Sequence, residues 1–243
     1  MTIGGDCRLR SRRRRTALTW VMRSLVVAVG ALMATSTFSQ QESVVGTLHN
    51  LSISGPGEIR AVSETQVCKF CHVPHNAEVP APLWGHALSS ARYDLPELRA
   101  SGTAQQTPQP DGSSRLCLSC HDGTIALGDI AGEPVPVQMT GASRLHPGNK
   151  GFIGTDLTGS HPVSFVVPDG DRIRDMTAES DMGLNSLAAI EADPEVRLDI
   201  DGKMQCTTCH DPHADRFYVE GRVPRFWVKS SVDEVCLTCH VPL

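Results

Sequence analysis

Eight of the nine cysteines fall into four pairs of one spacing, and each pair is followed at once by histidine. They are Cys68, Cys71 and His72; Cys117, Cys120 and His121; Cys206, Cys209 and His210; and Cys236, Cys239 and His240. C-x-x-C-H is the attachment signal for haem c. Two thioethers must reach the two vinyl groups on one porphyrin edge, and the next residue must turn its imidazole under the ring to bind iron. Two Cys₄ zinc sites are the competing reading. Zinc ribbons separate their pairs by about 15–20 residues, whereas here the gaps are 45 residues after Cys71 and 26 after Cys209. Zinc also has no need of a histidine behind every pair. A C-x-x-C disulfide would close a very small loop and staple little. The pattern therefore predicts four covalently bound haems c.

The ninth cysteine, Cys7, sits in a different segment. Arg8, Arg10 and Arg12 to Arg15 precede an uncharged apolar run at residues 25–34, and small polar residues follow. That order predicts a secretory signal peptide over residues 1–39, cleaved after Ser36 or Ser39. A retained membrane anchor would need about 20 apolar residues and would bury Arg23. The expectation is a secreted chain, periplasmic or extracellular, with no transmembrane anchor. The arginine run resembles a twin-arginine signal, but the residues after it fit poorly, and haem attachment to an unfolded chain suits threaded export.

The leader holds 7 Arg and 1 Asp, which leaves 15 basic and 26 acidic residues for the remainder, a net charge of −11. Such a surface argues against nucleic acid and anionic membranes and fits redox partner proteins with basic docking faces. Only two of the three tryptophans remain, and Gly and Pro are frequent. The peptide alone predicts a thin core that haem surfaces would fill. The fold class expected is a multihaem cytochrome c, with short helices and loops wrapped around four haems.

An electron-transfer haem carries two axial ligands, and a catalytic one leaves a position open. Six further histidines could serve: His49, His75, His86, His146, His161 and His213. His75 in CHVPH and His213 in CHDPH follow a proline that fixes the turn after the proximal ligand. His161 precedes Pro162, which holds it extended, at the start of an apolar, strand-like run at 163–167. His49 lies on an N-terminal arm able to move or to dock elsewhere. His86 follows Trp84-Gly85, and His146 lies in a Gly/Pro-rich loop; both are weaker candidates. Met139, Met176, Met182 and Met204 are the alternatives, but none sits in a repeated context. The surplus of histidine predicts bis-His coordination throughout.

CxxCHxPH opens and plain CxxCH closes each of two loose repeats, at 66–122 and 204–243, joined by a loop-rich linker within one unit spanning 40–243. Short helices are expected at 183–192 and at 233–240.

The segments HNLSISGPGEIRA, ETQVCKFCHVPHNAEVPAPLWGH, CLSCHDGTIALGD and IGTDLTGSHPVSF resemble the tetrahaem cytochromes that polymerise into extracellular filaments, the OmcE-like nanowire type. The resemblance runs from about residue 48 to the last CxxCH. It implies bis-His haems in stacked pairs, with His75, His161 and His213 as ligands within the subunit. It also implies a homopolymer joined through the N-terminal arm, whose His49 would complete a haem in the next subunit. The residues themselves leave two other roles open. One is a monomeric periplasmic electron shuttle. The other is a multihaem reductase, which needs an open iron.

Overall fold

The computed structural model describes residues 43–100, 103–170 and 182–242. The expected signal peptide and Met176 lie outside them. Regular structure is sparse. In chain order come β1 (Glu97–Ala100), β2 (Thr103–Gln106), α1 (Gly112–His121), β3 (Phe165–Val166), β4 (Met182–Leu184), α2 (Leu187–Glu191), β5 (Lys203–Met204), α3 (Cys206–Cys209), α4 (Val232–Cys239) and β6 (His240–Pro242). Single 3₁₀ turns form at Val44–Gly46 and Cys68–Phe70. The strands pair antiparallel in three separate two-stranded sheets, β1 with β2, β3 with β5 and β4 with β6. β6 follows directly on the last CxxC, so the β4–β6 pairing fastens the linker to the fourth motif. The described residues fall in one compact unit, Gln40–Leu243.

Two expectations of local structure are revised. The helix expected at 183–192 is split: β4 takes its first residues, and α2 starts only after Ser186, whose Oγ accepts from the Ala189 N–H at 3.3 Å. An N-cap serine fixes the first turn of a helix, and Gly183 ahead of it disfavours helix. The apolar run at 163–167 pairs only through Phe165 and Val166, because Ser164 has φ 64° and cannot continue a strand. α4 matches the helix expected at 233–240 to within a residue at either end. Ser231 caps it, accepting from Glu234 N at 3.2 Å, and Asp233 and Glu234 complement the positive end of the helix.

The apolar interior is split into three small clusters. Ala61, Phe70, Val73 and Ile130 form one; Tyr93, Leu118 and Leu157 a second; Val167, Ile190 and Met204 a third. Each lies beside cysteine motifs. Phe70 is inside the first, Leu118 is inside the second, and Cys209 and Cys239 pack against the third cluster. Ion pairs tie loops to these islands. Asp193 binds Lys229 and accepts from Thr238 Oγ1. Burial pushes the Asp193 carboxyl up, but the Lys229 ammonium and the Val196 and Glu195 N–H groups outweigh it and hold the pKa at about 2.

Candidate functional site

Each CxxCH motif closes as one helical turn. The histidine N–H donates to the carbonyl of the first cysteine at 2.8 Å in His72, at 3.0 Å in His210, and likewise from His240 to Cys236. His121 is the last residue of α1. An i, i+3 spacing on a helical turn puts both thiols on one face, as two bonds to one porphyrin edge require. All eight cysteines are free thiols. Among the described residues no three His, Cys, Asp or Glu side chains converge as a directly bound zinc ion requires.

Two imidazoles bound through Nε2 on opposite sides of one metal have ring centres about 6 Å apart, since each metal–nitrogen bond is about 2 Å and each ring adds its half-width. Three of the CxxCH histidines face a second imidazole at that separation. His72 and His213 lie 6.1 Å apart, His121 and His49 6.0 Å, and His240 and His161 6.2 Å. The ring nitrogens of four of these six, and of His210, are oriented to match. Nδ1–H donates to a backbone carbonyl in His72 (Pro82, 2.8 Å), His121 (Gly151, 2.6 Å), His210 (Arg225, 3.0 Å), His49 (Pro212, 2.9 Å) and His161 (Pro162, 2.8 Å). A donor bond at Nδ1 leaves the Nε2 lone pair free for a metal. Burial lowers the pKa of His49 to about 4, and burial also lowers those of His210 and His240. These imidazoles are therefore neutral at physiological pH, the form that binds iron.

The remaining candidates separate. His210 has Trp227 against it, ring centres 5.0 Å apart, and no imidazole in ring contact among the described residues. His75 is exposed. His146 is exposed, and its Nδ1 accepts from Gly148 N at 3.2 Å. His86 is fully buried, and its Nε2–H donates to the Phe70 carbonyl at 2.7 Å, so the nitrogen that would meet iron is engaged. Met139 and Met204 pack in the apolar clusters.

A second duplication surrounds the two CHxPH motifs. After the first, Val73 N donates to Leu83 O and Gly85 N to Cys71 O, and His72 bridges to Trp84. After the second, Asp211 N donates to Phe226 O and Val228 N to Cys209 O, and His210 bridges to Trp227. In both loops the residue before the tryptophan has positive φ, 65° at Leu83 and 61° at Phe226. That kink sits next to the carbonyl, of Pro82 or of Arg225, that receives the histidine Nδ1–H. Sequence reasoning missed these loops. Their signal was the pair of tryptophans left behind the leader, each a short distance after a CHxPH.

The thiols of successive motifs approach one another in chain order. Cys71 acts electrostatically on Cys117 and Cys120. Cys117 and Cys206 share a hydrogen bond that holds the Cys206 thiol below and the Cys117 thiol above the usual range. Cys209 is raised by burial and by Cys239 and Cys236. The four cysteine pairs thus follow one another in space as they do in sequence.

A family model described as Doubled CXXCH motif matches residues 200–243, which hold the third and fourth motifs. This relates the chain to multihaem c-type cytochromes. The CXXCH motif is the covalent attachment signal of haem c, and the match suggests a haem-binding electron-transfer cytochrome. No curated protein matches the chain. No helix among the described residues is long and apolar enough to cross a membrane.

Proposed function

We propose that this chain is an exported tetrahaem electron carrier that works as a homopolymer, each subunit completing one iron in its neighbour. The observation that carries the reading is the set of three facing imidazole pairs, His72 with His213, His121 with His49 and His240 with His161, each separated by one metal's width. The bound haems supply reversible one-electron chemistry at iron. The residues would do the rest: the eight cysteines would hold the macrocycles, the facing histidines would ligate iron and keep small ligands off, and the order of the motifs would set the carriers in series.

His210 supports the intermolecular part. The pair His72–His213 joins the first repeat's CxxCH to the second repeat's CHDPH. Its reciprocal is His75 of CHVPH on the iron held by His210. Within one chain these two make no ring contact, and His75 is exposed. His75 of a second copy closes the set, and a head-to-tail contact of this kind grows a filament when the rotation does not close. On this reading the N-terminal arm serves its own subunit, since the half-buried His49 faces His121 and stacks on Phe226 with ring centres 4.1 Å apart.

Sedimentation and electron microscopy of purified holoprotein test this, with covalent haem counted by pyridine haemochrome. Four haems per chain and polymers are expected. His75→Ala should abolish polymers and leave one iron high-spin, whereas His49→Ala should alter one iron and leave polymers intact. Monomers with four low-spin irons would establish a shuttle. One iron per chain that binds carbon monoxide within the native polymer would overturn the carrier reading and revive the reductase.

A further inference from the structure

Gln205, next to Cys206, is 1% exposed, and nothing in the motif chemistry requires it. Its amide has partners on both atoms. Oε1 accepts from Ser114 Oγ at 2.6 Å, and Ser114 N and Ser164 Oγ approach it at 3.3 Å. Nε2 donates to Asp199 Oδ2 at 2.8 Å and Asp111 Oδ1 at 3.0 Å. Its backbone N–H donates to Thr208 Oγ1 at 2.9 Å. Ser114 belongs to α1, which carries Cys117, Cys120 and His121, and Thr208 belongs to α3, which carries Cys206 and Cys209. Two more bonds cross the same seam: Cys206 N to Ser114 Oγ at 2.9 Å, and Ser113 Oγ with Thr207 Oγ1 at 2.7 Å. The chain makes room for this arrangement. Gly112 has φ +49°, and a Cβ there would come within 2.7 Å of Gln205 Nε2.

A buried amide with every hydrogen bond made is rigid, because any displacement strands desolvated polar groups. The seam lies where Cys117 and Cys206 touch, the junction between the second and third motifs. We infer that Gln205 is a positioning residue that locks the second and third haem sites in one mutual geometry and so controls electron exchange between them. This rests on the electron-carrier reading above. It does not depend on the polymer.

The test compares holoprotein with Gln205→Met, which keeps the shape of the side chain and removes its amide. Asp199→Asn serves as a milder second variant that weakens one bond. Three measurements are needed: covalent haem count, low-spin absorbance, and exciton-coupled circular dichroism of the Soret band with electron exchange between haems by nuclear magnetic resonance. The expected result is four low-spin haems in both variants, a reduced or reshaped Soret couplet, and severalfold slower exchange at one junction only, with Asp199→Asn the weaker. Normal haem content with unchanged couplet and exchange overturns the inference alone. Loss of haem and fold in both variants overturns it too, since the cluster would then serve overall folding. A wild-type chain without covalent haem removes the reading beneath it.

Discussion

At the residue scale the covalent chemistry dictates what can be read. A CxxCH is legible because two thioethers and an imidazole must reach one porphyrin, and the structure builds each as a helical turn. The facing histidines are not legible in that way. His49 and His121 come from points far apart in the chain and meet through loops. His75 and His213 share one local motif and both are exposed, yet His213 faces His72. What separates them is the neighbour that each turn meets, which no local pattern encodes. His86 shows the converse case, a histidine beside a haem motif whose work is structural. It props the loop between Cys68 and Cys71 by donating to the Phe70 carbonyl, while its buried Nδ1 has no hydrogen-bond partner. His86→Leu fills the space but strands that carbonyl, at a cost of about 1–3 kcal/mol. A guanidinium melt of the holoprotein should show that loss while the low-spin absorbance stays unchanged. A new high-spin band would make His86 a ligand.

At the element scale the strongest organisation lies in loops, and loops are where sequence periodicity says least. The expected helix ending in the fourth motif formed because a serine cap, two first-turn acids and the CxxC turn agree. The linker helix was cut short because Ser186 and Gly183 disagree with it. The paired tryptophan loops carry no periodic signal, since their geometry depends on a left-handed residue where the side chain is leucine or phenylalanine. Holding such a residue left-handed costs roughly 1–2 kcal/mol, and glycine would relieve it while costing about 0.5–1 kcal/mol in unfolded-state entropy. The two loops should therefore respond differently. Leu83 is 44% exposed, so Leu83→Gly loses little packing and should leave stability nearly unchanged. Phe226 is 8% exposed and stacks on His49. Removing a buried aromatic costs about 3–5 kcal/mol, which outweighs the relief, so Phe226→Gly should destabilise by about 2 kcal/mol or more. Parallel denaturant melts decide it, and equal midpoints for the two variants would refute the assignment of Phe226 as packing for the His49 imidazole.

At the scale of the whole molecule the question is what joins three small apolar islands into one body. Each island has three or four buried side chains and abuts cysteine motifs. Among the described residues the strands form only isolated pairs, with no larger sheet. The facing imidazoles stand about one metal's width apart, and four of the six are held by Nδ1 bonds to backbone carbonyls. A low aromatic content predicted this division, because a chain with few large side chains cannot fill its own centre. Flat apolar macrocycles inserted between the imidazoles would bridge the islands and turn separate patches into one cooperative core. The folding free energy would then reside largely in cofactor contacts, as it does in other small domains ordered by a bound group. The haem-free chain should consequently lack a cooperative thermal transition and show little amide protection against hydrogen exchange, while the holoprotein melts in one step. Circular dichroism melts and hydrogen exchange on the two forms make the comparison. A sharp transition in the haem-free chain would mean that the polypeptide carries its own core, and that the paired histidines are held apart by peptide packing alone.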